Sequence, residues 1–82
     1  MHIKVYSTAS CQYCHKLKDY LEQNNIEFEN APVDEDQELA QEMVALSGQM
    51  GVPFSVVTTD TNEQYGVLGF NKEAIDELFN LN

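Results

Sequence analysis

Cys11 and Cys14 are the only cysteines of the chain, and they stand three apart in Ser10-Cys11-Gln12-Tyr13-Cys14-His15. Two thiols at that spacing suit three chemistries. In the first, one thiolate attacks a disulfide to give a mixed disulfide, and the second thiol, one helical turn further on the same face, resolves it and releases reduced product. In the second, the thiols hold zinc. A structural zinc site wants four protein ligands and a catalytic one three, yet only His2 and His15 are at hand, and His15 directly follows Cys14 and does not share its helix face. In the third, Cys-x-x-Cys-His attaches haem covalently, with Met43 or Met50 as second axial ligand. A purely structural bridge is disfavoured, because closing so short a loop removes little entropy from the unfolded chain.

The elements around the pair favour the first chemistry. His2-Ile3-Lys4-Val5-Tyr6-Ser7 alternates as a strand and ends in Thr8-Ala9-Ser10. From Cys11 the period changes, with Cys14, Leu17 and Leu21 on one helix face until Asn24-Asn25 supplies a stop. At a strand-to-helix junction the first-turn amides lack partners and the helix dipole turns its positive end outward, so a cysteine there ionises more readily. Cys11 is accordingly the expected nucleophile. Cys14 is the expected resolving thiol and, on the Leu17/Leu21 stripe, a small buried residue as well. Tyr13 is expected to project outward and line a substrate. Lys4, Lys16 and Lys18 lie within a few residues of the pair, either as plain solvated surface or as a positive island that favours a thiolate. The β-rich flanks speak against an all-helical cytochrome.

The remaining pattern completes an α/β chain. Ile26 to Glu29 alternates as a second short strand, with Pro32 ending it or holding it at an edge. The acidic run Asp34, Glu35, Asp36 and Glu38 suits a helix start, and Leu39, Met43 and Leu46 give that helix, over about 36 to 47, its buried stripe before Ser47-Gly48. Val52 to Thr58 is apolar and β-branched, Thr59 to Asn62 reads as a turn, and Glu63 to Leu68 returns as a hairpin strand. Asn71 is an N-cap for a last helix with Ile75, Leu78 and Phe79 on its stripe. The order βαβαββα predicts a four-stranded mixed sheet flanked by three helices, in one domain spanning residues 1–82, with the first two strands parallel and the last two antiparallel.

Composition narrows the partners. Fourteen acidic residues against four lysines give a formal net charge of -10, which repels phosphate backbones, so nucleic acid is not an expected partner. No stretch reaches the roughly 18 to 20 apolar residues of a membrane span. Met1-His2-Ile3-Lys4-Val5 lacks the basic end and apolar core of a secretory signal. The expectation is a soluble, cytoplasmic monomer, in a compartment where disulfides are transient and catalytic.

Cys11-Gln12-Tyr13-Cys14-His15 resembles the Cys-Pro-Tyr-Cys-His of the glutaredoxin family, and Gly51-Val52-Pro53 resembles its Thr-Val-Pro. The resemblance implies a thioredoxin-like fold and a dithiol-disulfide oxidoreductase with no bound cofactor. It also implies a cis Val52-Pro53 bond facing the dithiol, with the Val52 backbone pairing with bound substrate like an added strand. Two departures bear on the substrate. Where glutathione-using glutaredoxins carry a basic residue three before the first cysteine, this chain has Thr8; where they carry a Gly-Gly-x-Asp-Asp type segment, it has Leu68-Gly69-Phe70-Asn71-Lys72. Asn71 at the helix start and the charge of Lys72 remain as candidate carboxylate contacts. Gly69-Phe70 and the variant Gln12 look more like the glutaredoxin-like electron donors of ribonucleotide reductase, which thioredoxin reductase reduces. Tyr13, Val52, Pro53, Gly69, Phe70 and Asn71 are thus the expected substrate-binding residues. Phe70 is either a substrate or reductase contact or a hydrophobic bracket for the last helix. The expected partners are a disulfide-containing client protein and a reductase, with electrons from NADPH through thioredoxin reductase, or from glutathione. The competing non-enzymatic reading is a redox-inert thioredoxin-like binding module that uses the strand-pairing edge beside Pro53.

Overall fold

A computed structural model describes residues 1–81. Its elements are β1 (His2–Ser7), α1 (Gln12–Gln23), β2 (Glu29–Pro32), α2 (Gln37–Ser47), β3 (Phe54–Thr58), β4 (Gln64–Leu68) and α3 (Lys72–Phe79). The four strands form one sheet in the order β2-β1-β3-β4. β1 runs parallel to β2 and antiparallel to β3, and β3 runs antiparallel to β4, which makes the sheet mixed as the element order predicts. The fold is thioredoxin-like.

Alternation along the central strand β1 sorts the core into two faces. Ile3 and Val5 join Val57 of β3 on one face, where they meet Leu17 and Leu21 of α1 and Ile75 of α3, all fully buried. Burying each such side chain contributes about 1.5–3 kcal/mol. Tyr6 faces the other way, with Ala31, Phe54 and Met43 of α2, and stacks on Phe54 with ring centroids 5.8 Å apart. The Tyr6 hydroxyl donates to Glu42, and burial with that bond pushes its pKa up to about 12.

Three expectations need correction. The second strand lies three residues later than the alternation of Ile26 to Glu29 suggests: it is Glu29–Pro32, and its register on β1 pairs Ser7 with Pro32. Pro32 fits because β2 is an edge strand and the proline is its last residue. Ile26 and Phe28 instead pack against the α1 and α3 core from outside the sheet. On α2, Met43 is buried and Leu39 half-buried, but Leu46 is 53% exposed, because it lines open concavities over the sheet beside Val56 and Gln64 instead of a closed core. Lys4 belongs to no island beside the cysteines. Its ammonium sits 2.7 Å from Glu42 and 3.8 Å from Glu29, an arrangement that raises the lysine pKa mainly through the Glu42 bond.

Candidate functional site

The two sulfurs are placed by a turn that becomes a helix. Thr8 to Cys11 closes through the Cys11 amide, which donates to the Thr8 carbonyl at 3.3 Å. Cys11 is then the N-cap of α1, in extended backbone, and its Sγ accepts the Cys14 amide at 3.1 Å. A cysteine sulfur thus takes the place of the usual serine or aspartate oxygen and partners one of the orphan donors of the helix start. The Cys11 carbonyl accepts the His15 amide at 3.2 Å, completing the first turn. Cys11 is half-buried, whereas Cys14, facing the core with Leu17, is fully buried. Burial, then the neighbouring Cys11 thiol, push the Cys14 pKa up to about 11, against smaller lowering effects of the Thr8 backbone and Lys18. Both cysteines are free thiols.

The loop before β3 forms the opposite wall. The Val52-Pro53 bond is cis, Pro53 is buried, and the Val52 carbonyl lies 3.9 Å from Cys11 Sγ. The Pro53 carbonyl accepts the Gly69 amide at 2.8 Å. Gly69 has φ +69°, a left-handed conformation that glycine adopts freely. Tyr13 is 62% exposed beside Cys11, with the Lys16 ammonium 5.2 Å from its ring centre. The structure therefore brings Cys11, Cys14, Val52 and Pro53 together, flanks them with Tyr13, and links Gly69 to them through Pro53.

Phe70 and Asn71 point elsewhere. The Phe70 ring packs against the α1 and α3 core, 5.7 Å from Tyr20, which matches the hydrophobic bracket of the two roles open to it. The Asn71 side-chain oxygen accepts the Ala74 amide at 3.1 Å as the α3 N-cap, and the Lys72 ammonium lies 5.5 Å from the Tyr20 ring centre. Two residues not singled out for their contacts also reach the site. His15 Nε2 lies 2.7 Å from the Ala9 carbonyl, and Asp34 Oδ2 accepts the Ala9 amide at 3.0 Å. Asp34 was legible only as one of a run of acids, since its partner is far away in sequence.

The surroundings do not suit haem: the Cys14 sulfur is sealed beneath α1 and the His15 ring is turned to the Ala9 carbonyl. Among the described residues, no three His, Cys, Asp or Glu side chains gather as a metal site, and no helix is long and apolar enough to cross a membrane. A shallow concavity of about 630 Å³ is lined by Glu22, Asn25, Ile26, Glu27 and Phe28, at the end of α1 away from the thiols.

Residues 3–60 match the family Glutaredoxin. The chain is 45% identical over 76 residues to an uncharacterized glutaredoxin-like 8.6 kDa protein in the rubredoxin operon of Clostridium pasteurianum, covering 93% of this chain and 95% of that one. It is 37% identical over 70 residues to the prophage-derived thioredoxin-like protein YosR of Bacillus subtilis, covering 84% and 82% respectively. Among solved structures, the glutaredoxin-like NrdH-redoxin of Escherichia coli, a protein with a thioredoxin-like activity profile, superposes with a TM-score of 0.76 at 28% identity, covering 95% of each chain. The thioredoxin-like protein BC3987 superposes with a TM-score of 0.79 at 26% identity, covering 93% of this chain and 97% of that one. With the dithiol at the head of α1 and the cis proline opposite it, these matches make the chain a member of the glutaredoxin family.

Proposed function

We propose that the protein is a dithiol-disulfide oxidoreductase that reduces disulfides in a client protein and is itself reduced by thioredoxin reductase or a flavoprotein like it. The observation that carries this reading is the asymmetry of the thiols: Cys11 Sγ is reachable and hydrogen-bonded by the Cys14 amide, while Cys14 is buried one turn beneath it. The Cys11 thiolate attacks one client sulfur, the client S–S bond breaks, and the departing client thiolate takes up a proton. Cys14 then gives up its proton and attacks Cys11 Sγ. The second client thiol leaves, and the protein ends as a Cys11–Cys14 disulfide carrying the oxidation the client has lost. Two electrons from NADPH, delivered by the reductase, restore the dithiol. A reducing compartment such as the cytoplasm suits this cycle, and a monomer suffices for it.

An open surface supports a macromolecular client. The Val52 amide has no hydrogen-bond partner among the described residues, so it is available to a client backbone laid against the loop, with Tyr13 beside it. Glutathione is less well served. Thr8 brings no cation, the Asn71 oxygen caps α3, and Lys72 lies over Tyr20. The NrdH-redoxin likeness points the same way, since that protein has a thioredoxin-like activity profile.

Replacing the resolving thiol tests the scheme. Cys14→Ser should accumulate a mixed disulfide through Cys11 with a disulfide-bearing client such as insulin, and Cys11→Ser should accumulate none. Accumulation through Cys14 in the Cys11→Ser protein would reverse the assignment.

A further inference from the structure

The turn that delivers Cys11 to the head of α1 is held at one residue, through the two peptide units that flank its Cα. Ala9 is the first central residue of the Thr8-to-Cys11 turn. Its amide donates to Asp34 Oδ2 at 3.0 Å, and its carbonyl lies 2.7 Å from His15 Nε2. A carbonyl only accepts, so Nε2 carries the proton of that bond. Asp34 stands just beyond β2, and His15 stands in the first turn of α1, whose own amide is bonded to the Cys11 carbonyl at 3.2 Å. His15 therefore spans Cys11, with its backbone fixed to the Cys11 carbonyl and its ring fixed to the residue two before.

We propose that His15 and Asp34 are a pair of positioning residues that clamp Ala9 through its amide and its carbonyl and so hold the Cys11 sulfur at the mouth of α1. The inference rests on the reading of Cys11 as the attacking thiol. The sulfur is set by two hydrogen bonds, the Cys11 amide to Thr8 at 3.3 Å and the Cys14 amide to Cys11 Sγ at 3.1 Å, and the first is long, so the turn needs further restraint. The segment Thr8 to Ser10 carries no large apolar side chain, and Ala9 and Ser10 are exposed, so burial does little to fix it. The two side-chain bonds supply the restraint that packing does not. Asp34 ties the turn to the sheet edge through the peptide unit before the Ala9 Cα, and His15 ties it to the helix through the unit after it; both restrain one residue, so their effects are coupled rather than additive.

The test is the rate at which iodoacetamide alkylates Cys11 in the reduced protein near neutral pH, where buried Cys14 stays silent. His15→Ala and Asp34→Ala should each slow this reaction by about tenfold, because a Cys11 sulfur that drifts from the helix start loses the Cys14 amide that favours its thiolate. The double variant should be little slower than either single one. His15→Gln, whose side-chain amide offers an N–H near the place of Nε2, should recover most of the wild-type rate, and circular dichroism should show all variants folded. Wild-type rates in His15→Ala and Asp34→Ala, or a His15→Gln protein as slow as His15→Ala, would overturn the clamp. Failure of the proposed function has a different signature: a wild-type protein whose Cys11 alkylates readily yet reduces no client disulfide.

Discussion

Cys11 and Cys14 are three residues apart, yet one sulfur meets solvent and an amide donor while the other meets the side chains of the core. Alkylation near neutral pH should therefore modify Cys11 first, and Cys14 should react only as the pH approaches about 11. Mass spectrometry of the labelled peptides reads this directly. A stability slope follows from the same burial. The folded state holds the Cys14 proton more tightly than the unfolded chain, so its contribution is fully present below the unfolded thiol pKa near 8.5–9 and is lost as pH rises through about 11. The loss is at most about 2–3 kcal/mol. Oxidising the pair removes the proton, so urea denaturation between pH 9 and 11 should show a steeper decline for the dithiol than for the disulfide form. At this scale the chemistry was legible because the cysteine spacing and helix period are local. The positions of Lys4, Phe70 and Asp34 were not, since each is decided by a partner far away in sequence: Glu42, Tyr20 and Ala9.

The elements that carry the dithiol have separable supports. Asp36 caps α2, its Oδ1 accepting the Glu38 and Leu39 amides at 3.0 and 3.4 Å. Asp36→Ala should cost about 1 kcal/mol and lower the Tm by about 4–8 °C, as measured by thermal unfolding. On the same helix, Met43→Ala should cost about 2–5 kcal/mol, because its side chain fills the core between α2 and the sheet. Leu46→Gln should change stability much less, by about 0.5 kcal/mol, because Leu46 is 53% exposed. Urea midpoints of the two variants check the contrast. Helix periodicity predicted Leu39, Met43 and Leu46 on one stripe. What it does not encode is how closely α2 packs on the sheet along its length, and at Leu46 an open concavity remains beside Val56 and Gln64. The second strand shows a similar limit. Alternation from Ile26 to Glu29 reads as a strand, but pairing on β1 selects Glu29–Pro32, and the apolar residues before it serve the other core face.

For the whole molecule, 14 acidic residues against four basic ones set the terms of partnership. A net charge of -10 repels the carboxylates of glutathione at long range, and Lys4, paired with Glu42, gives no relief, so only Lys16 over Tyr13 and Lys18 offset it near the dithiol. A protein reductase carries its own surface to the thiols and is not bound by that constraint. The decisive measurement is NADPH consumption during insulin reduction by the wild-type protein, run once with thioredoxin reductase and once with glutathione and glutathione reductase. Rapid turnover with thioredoxin reductase, lost in Cys11→Ser and slow in the glutathione arm, is the predicted result; turnover with glutathione alone, or with neither donor, would contradict it.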